Sequence, residues 1–301
     1  MQALISVVIP TYNRAEDLHR ALQSVINQTY ANWEVCVVDN NSTDSTDEVA
    51  LSFNDPRIRL FKIDNKGVIA ASRNFGIRNA KADYIAFLDS DDWWLPHKLQ
   101  KSMELFSSGV DVVYHNLYLV ESKEQASFSR QTGATGVAGS IMNALLSRGL
   151  SIPNSSAMVR ASIIRSAGFL SEDPNLVSVE DLDLWLRISK ITNNFKCATE
   201  CLGYYWVGGG NLSSASWKQV KKIQYLYSLH LSSLNKDLRF EANSFLHYRI
   251  ARIAINMGRM RFASQYFRLA LKGNLFWKYR IKSVYFLCRL SCERRLKFGC
   301  S

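Results

Sequence analysis

The chain has 301 residues, of which 47% are hydrophobic and 21% charged; that excludes a disordered chain and leaves room for one large α/β domain with an appended piece. The net charge of +11 is local, because residues 1–217 hold 19 Lys and Arg against 23 Asp and Glu, whereas residues 218–301 hold 18 against 3. The basicity therefore bears on what the tail lies against and not on the fold.

Met1, Gln2 and Ala3 lead straight into a strand pattern, with neither a positive leader nor an apolar signal core. The β-branched run Leu4 to Ile9, closed by Pro10, predicts a first strand that delivers Thr11, Tyr12, Asn13 and Arg14. A helix from about Ala15 to Asn27 follows, with Leu18, Ala21, Leu22, Val25 and Ile26 at helical spacing. Trp33 to Val38 predicts the second strand, ended by Asp39 and a polar run through Asp44. Strand, helix and strand at this spacing make a βαβ unit, so the two strand ends lie side by side. Ser42 or Asp44 caps a helix to about Phe53, Ile58 to Ile63 makes a third strand, and Gly67 to Ala80 holds a helix carrying Arg73, Asn74 and Arg78.

Tyr84 to Leu88 is a short apolar run with no helical period, which suits a buried strand of a parallel sheet. It stops in acid, reading Asp89, Ser90, Asp91, Asp92. Three carboxylates this close repel one another and cannot be buried unpaired. They need a divalent metal with a phosphate ester or, on the plainer reading, water and a helix to cap, with Asp92 capping one that begins near Trp94 or Leu95 and Pro96 in its first turn. Asp39 and Asp89 occupy equivalent places, each the first polar residue after a core strand. In open parallel sheets that edge is where ligands bind.

A helix from about His97 to Phe106 leads to a strand at Val110 to Asn116. Residues 121–140 read as a mobile or β-hairpin excursion. Ile152 to Val159 reads as a strand, and Ala161 to Ala167 as a short helix ended by Gly168. From Ser178 to Ile191, Leu182, Trp185, Leu186 and Ile188 or Ser189 mark a buried helical face, which sets Glu180 and Asp181 in the first turn. Carboxylates are favoured there by the free backbone N–H groups and the helix dipole, with or without a catalytic duty.

Beyond Trp217 the composition predicts amphipathic helices near 217–234, 238–257, 260–272 and 276–297, broken at Gly258 and Gly273. The pair about Gly258 reads as a helical hairpin, Ile250, Ile253 and Ala254 facing Phe262, Tyr266, Phe267 and Ala270. The last helix mixes Trp277, Tyr279, Ile281, Val284 and Tyr285 with Lys278, Arg280 and Lys282. That composition suits an anionic membrane surface and equally a helix packed on the catalytic domain with a solvated basic face. No stretch reaches the roughly 20 apolar residues that cross a bilayer. Six cysteines, at 36, 197, 201, 288, 292 and 300, show no paired zinc spacing and no small disulfide framework. The expectation is a cytoplasmic protein, peripheral at most on the cytoplasmic face of the inner membrane.

Taken together, Ser6 to Arg14, Val38 to Asp44, Ala71 to Gly76, Phe87 to Asp92 and Glu180 to Arg187 resemble glycosyltransferase family 2, over about residues 3–210. The resemblance implies an inverting enzyme with the GT-A nucleotide-diphospho-sugar transferase fold, a Rossmann-like, mainly parallel sheet flanked by helices. It implies a catalytic domain over 1–215 and leaves 216–301 as a helical extension. Carried over by position, Thr11, Tyr12, Asn13 and Arg14 line the nucleotide pocket, and Asp39 accepts the imide N–H of uracil or thymine. Arg73 reaches toward the nucleotide or diphosphate. Asp89 and Asp91 form the metal-binding Asp-x-Asp around Ser90, with Asp91 the direct ligand of Mn2+ or Mg2+ and Asp89 nearer the ribose. Asp181 is the general base, positioned by Glu180.

The implied partners are a nucleotide-sugar donor, a UDP-sugar in the favoured case, and a glycan or lipid-linked acceptor. Many members of the family it resembles carry Arg or His in the loop after the last sheet strand, near the donor diphosphate, but Tyr205 to Asn211 here reads Tyr, Trp, Val, Gly, Gly, Gly, Asn. That Gly run suits backbone contacts to a diphosphate or a plain connector. The Gln-x-x-Arg-Trp of processive synthases is missing, which favours single additions. The competing class is a non-catalytic nucleotide-sugar binder or scaffold. A nucleic-acid binder ranks low, because the tail aromatics sit at helical spacing. A dinucleotide-dependent dehydrogenase is disfavoured by the lack of Gly-x-Gly-x-x-Gly after the first strand.

Overall fold

The computed structural model describes residues 2–106, 109–209 and 215–298, with side chains in the last helix through Leu290. The described residues fall into two compact units, one within Met1–Ile141 and Ser151–Asn211, the other within Met142–Leu150 and Leu212–Ser301.

The first unit is built on one mixed sheet. Strands β1 (Ile5–Thr11), β2 (Trp33–Asp39), β3 (Ile58–Lys62), β4 (Tyr84–Phe87), β5 (Trp93–Trp94), β6 (Val112–Val120), β7 (Met158–Arg160) and β8 (Phe195–Trp206) lie in the order β3-β2-β1-β4-β7-β6-β8-β5. The first four in that order are parallel. Strand β7 runs antiparallel to both β4 and β6, β8 is parallel to β6, and β5 is antiparallel to β8. Every residue of β1 and β2 is buried, as expected of β-branched runs covered on both faces.

The chain leaves β1 outward to β2 and β3, then returns to the other side of β1 as β4. Open α/β sheets take ligands outside the carboxyl ends of strands at such a reversal. The register pairs Thr11 with Asp39, so the two strand ends stand side by side as the βαβ reading requires. One face is closed by α1 (Ala15–Ile26), α2 (Thr46–Ser52) and α4 (Lys98–Leu105), whose Leu18, Leu22, Val25, Ala50 and Leu99 join Val7 and Ile9 in a single core.

Helix α3 (Ile69–Asn79) presses on β1 and β2 through Gly76, where a Cβ would lie 2.6 Å from Val8 Cγ1. One turn earlier it carries Arg73, and between them Asn74 clasps a distant loop, accepting from Leu170 N at 3.0 Å and donating to Glu172 Oε1 at 2.8 Å. That loop leads from α6 (Ala161–Ser166) to α7 (Glu180–Ser189). Trp185 anchors α7, with its ring against Phe87 and its indole N–H donating to Ile152 O at 2.9 Å.

Four sequence expectations need correcting. Asp92 caps no helix: Trp93 and Trp94 pair with Tyr204 and Gly203 as β5, and α4 begins only at Lys98. Ile152 to Val159 is not one strand, because Asn154–Ser156 forms a 3-10 turn before the three residues of β7. Strand β6 runs on to Val120, past the expected end at Asn116. Leu184 rather than the half-buried Leu182 fills the inner face of α7. The excursion after β6 returns to make a single antiparallel bridge, Tyr118 with Gln131.

The second unit packs α8 (Trp217–Leu231), α9 (Lys236–Asn256), α10 (Met260–Lys272) and α11 (Trp277–Phe298) with α5 (Ile141–Ser147). Ala251, Ala254, Ala263, Phe267 and Ala270 form the α9–α10 seam; of the face read from the sequence Ala254, Phe267 and Ala270 belong to it and Phe262 and Tyr266 pack against it, whereas Ile250 and Ile253 do not. Gly258, with φ at +70°, makes the turn.

At Gly76, helix propensity alone would favour alanine by about 1 kcal/mol, whereas overpacking against Val8 costs roughly 1–3 kcal/mol. Gly76→Ala is therefore expected to lower stability in urea denaturation; a gain in stability would show that α3 does not press on the sheet.

Candidate active site

The site is assembled around Arg73. Its guanidinium is 3% exposed and donates through Nη1 to Glu180 Oε1 and through Nη2 to Asp89 Oδ1, each at 2.6 Å. Burial works against its charge, but the carboxylates of Asp89 and Glu180 outweigh burial and hold it firmly protonated. Asn154, with its amide oxygen turned to the guanidinium, accepts from both Nη atoms at 3.3 Å. One side chain of α3 thus joins the end of β4, the 3-10 turn and the first turn of α7.

Three acids of one loop part into three environments. Asp92 is buried and turned inward, where Oδ1 accepts from Trp206 N at 2.9 Å and Oδ2 from the Ser155 hydroxyl. Ser155 also accepts from Asp89 N at 3.0 Å, so one hydroxyl fixes both ends of the acidic loop. Asp89 turns to Arg73. Asp91 is pushed up to about 6, first by burial and then by Asp89, with Arg14 opposing. Burial and the carboxylates of Asp91 and Asp89 push Asp92 well up. The loop backbone is held from α1 by Arg20, which donates to Asp91 O at 3.0 Å and lies 4.2 Å over the Trp93 ring.

Glu180 and Asp181 open α7, as expected. Just before them Ser178 takes φ +73°, a left-handed conformation rare for a residue with a Cβ. Glu180 gives Oε1 to Arg73, while its buried Oε2 has no hydrogen-bond partner among the described residues. Asp181 accepts from Leu182 N at 2.7 Å through Oδ1. It is pushed up to about 7 by burial and next by Glu180, and the fields of Arg73 and Asp89 reach it as well. The Tyr205 phenol is raised by burial and then by Asp92, Asp89, Asp181 and Asp91, so all four carboxylates act on one hydroxyl.

The loops after β1 and β2 are laced together. Asn13, at φ +49°, donates its backbone N–H to Ser42 Oγ at 2.8 Å and accepts from Thr43 N through its side chain at 2.8 Å. Asp39 is fully buried and accepts from Ser42 N at 2.9 Å and from the Ser42 hydroxyl. Thr11 is buried, with an Oγ1 that has no partner among the described residues, whereas Tyr12 is 54% exposed. Arg14 pairs with Asp17 at 3.0 Å, and Ser90 is buried. The Gly run begins as a packing feature: a Cβ on Gly208 would lie 2.3 Å from the Trp206 ring. Gly210 and Asn211 lie outside the described residues.

Sequence reasoning missed Asn154, Ser155, Arg20 and Tyr205. A signal for the first two was present, since Asn154, Ser155 and Ser156 are polar residues inside a stretch read as buried strand, and buried polar groups need partners. Among the described residues no group of three His, Cys, Asp or Glu is arranged to hold an ion by itself. Asp91 and Asp89 nonetheless fit a Mg2+- or Mn2+-like ion, which takes one or two carboxylates and completes its shell with phosphate oxygens and water.

The sequence profile described as Glycosyl transferase family 2 matches residues 6–166. The chain is 27% identical over 229 residues to TuaG of Bacillus subtilis, named as a teichuronic acid biosynthesis glycosyltransferase, covering 74% of this chain and 87% of that one. It is 28% identical over 222 residues to WfgD of Escherichia coli, a UDP-Glc:alpha-D-GlcNAc-diphosphoundecaprenol beta-1,3-glucosyltransferase, covering 73% and 83%. Among solved structures, residues 1–349 of S. aureus TarS in complex with UDP-GlcNAc match with a TM-score of 0.62 at 15% identity, over 98% of this chain and 92% of that one. The chain spans 43% of a longer TarS structure. The mannosyltransferase PcManGT of Pyrobaculum calidifontis, in complex with GDP-Man and Mn2+, matches with a TM-score of 0.59 at 15% identity, over 100% and 89%. These structures share the GT-A type of fold with the first unit's sheet and helices.

Removing Arg73 leaves Glu180 a buried, unpaired carboxylate, a change that costs roughly 3–5 kcal/mol. Arg73→Met is expected to lose about that much in chemical denaturation, and Arg73→Met with Glu180→Gln to recover part of it; equal losses would mean that the pair is not coupled.

Proposed function

The chain belongs to glycosyl transferase family 2, and from that premise we propose that it moves one sugar from a nucleotide-diphosphate sugar to a glycan or lipid-linked glycan. A UDP-sugar is the favoured donor, the anomeric carbon is inverted, and the product enters cell-surface polysaccharide synthesis. The names of TuaG and WfgD support the pathway class and a lipid-linked acceptor, and the TarS complex with UDP-GlcNAc supports the donor class. The observation that carries the reading is Arg73 on both Asp89 and Glu180, which binds the acidic strand end to the helix that bears Asp181.

In this reading Thr11, Tyr12, Asn13 and Arg14 line the nucleotide, and Asp39 accepts the imide N–H of the base in exchange for its Ser42 hydroxyl. Asp91 and Asp89, about Ser90, are the residues that would hold Mn2+ or Mg2+. When bound, the cation offsets the charge that gathers on the departing nucleotide. Both Nη atoms of Arg73 are engaged by carboxylates, so its part is to fix Asp89 and α7 rather than to reach for phosphate.

Asp181 takes the proton from the acceptor hydroxyl as that oxygen bonds to the anomeric carbon and the bond to the diphosphate breaks. A base tuned close to neutrality is well matched to this transfer, and burial beside Glu180 raises Asp181 to about 7. Glu180, held on Arg73, keeps the first turn of α7 in place.

Asp181→Asn is expected to cut turnover by roughly 10²–10⁴-fold while leaving donor affinity unchanged; retained turnover removes Asp181 from the base role. Since only the carboxylate accepts a proton, turnover at saturating donor should rise with pH through about 7, and that rise should vanish in Asp181→Asn. Donor binding without transfer or hydrolysis, with manganese and without it, would favour the nucleotide-sugar-binding scaffold instead.

A further inference from the structure

Helix α11 divides cleanly into two faces. Tyr279, Ser283 and Leu290 are buried, and Phe286 stacks on Phe267 of α10 with ring centroids 5.3 Å apart. Tyr279 packs 4.8 Å from Tyr248 of α9, and its hydroxyl donates to Arg148 O at 3.1 Å. This inner face fixes the helix within its own unit. The opposite face keeps Trp277, Ile281, Val284 and Tyr285 at 64%, 62%, 50% and 60% exposure. Spacing of four, three and one residues sets these side chains in one stripe along the helix. Four large apolar groups in a row are more than the scattered exposure that soluble surfaces carry without cause.

Charge says what covers the stripe. At helical spacing Arg280 falls along one edge and Lys282 along the other, both exposed. On α10 the same unit exposes Arg261, Arg268 and Lys272, one turn or two apart, along a shallow groove of about 320 Å³. Residues 218–301 hold 18 Lys and Arg against 3 Asp and Glu. A protein partner for such a stripe would need a matching acidic rim, whereas an anionic bilayer supplies both an apolar interior and a negative surface to any helix that lies in its plane. Among the described residues no helix is long and apolar enough to cross a membrane, so contact by this helix is contact with the surface.

We infer that the outer face of α11 is a bilayer-docking surface, in which Trp277, Ile281, Val284 and Tyr285 enter the headgroup–acyl boundary of an anionic leaflet while Arg280 and Lys282 meet its phosphates. The inference deepens the proposal of a lipid-linked acceptor by naming the surface that meets the lipid. It uses none of the residues assigned to donor, metal or base.

The test is co-sedimentation of the full chain with vesicles of phosphatidylglycerol and phosphatidylcholine. Binding is expected to anionic vesicles and not to pure phosphatidylcholine, and to fall in about 1 M salt as the charges are screened. Arg280→Glu with Lys282→Glu should weaken it on the order of tenfold or more. Trp277→Ser with Ile281→Ser and Tyr285→Ser should do the same, with UDP-sugar affinity unchanged as the sign of an intact fold. Vesicle binding equal to the parent in both variants overturns the inference. So does a parent that ignores anionic vesicles, including one whose triple variant merely loses self-association, which would assign the stripe to a second copy. A chain that binds vesicles through this face yet transfers no sugar would keep the inference and lose the transferase reading.

Discussion

One buried guanidinium holds the candidate site together. Arg73 sits on α3, which Gly76 presses against β1 and β2, and reaches a carboxylate on each side at 2.6 Å. Its partners come from chain segments that share no local structure: the end of β4, the 3-10 turn at Asn154 and the start of α7. A buried ion pair adds little net stability over a well-packed apolar core, but breaking one is expensive because a bare charge is left behind. Its contribution is therefore to geometry: Asp89 and the helix bearing Asp181 hold their positions together or not at all.

The same burial sets the acid–base character. Within Asp89, Ser90, Asp91, Asp92 the like charges could not all be tolerated in one environment, and the fold separates them. Asp92 is turned inward to Ser155 and Trp206, Asp89 sideways to Arg73, and Asp91 is left with Arg14 as its opposing charge. On α7, Asp181 is raised toward neutrality by burial and by Glu180. Titratable groups driven apart by their surroundings are what acid–base chemistry near neutral pH draws on, and the proposed roles of these carboxylates rest on that separation. Tyr205, felt by four of these carboxylates, marks where their fields overlap.

Much of this could be read from the residues. The buried runs of β1, β2 and β4 and the helical spacing of α1 and of the tail helices carry strong periodic signals, and acids following core strands mark a sheet's ligand edge. The losses fall where tertiary contacts decide. Trp93 and Trp94 form β5 only because Gly203 admits them, a Cβ there meeting Trp93 O at 2.8 Å. Asn154 and Ser155 are small, polar and without periodicity, and their value lies in partners far away in sequence. Asp39 was legible as a strand-end acid but not as one laced to Ser42, which Asn13 bonds in turn. In the tail, spacing alone left open which side of α11 is packed; the contacts of Tyr279 and Phe286 decide it.

The most direct measurement of the central claim is a crystal structure of the full chain with a UDP-sugar and manganese, the metal located by its anomalous signal. The expected result is one manganese peak between the diphosphate and the carboxylates of Asp91 and Asp89, with Arg73 still on Glu180 and Asp181 open toward the anomeric carbon. A nucleotide bound elsewhere, or an Asp181 turned away from the sugar with the Arg73 bridge intact, would contradict it.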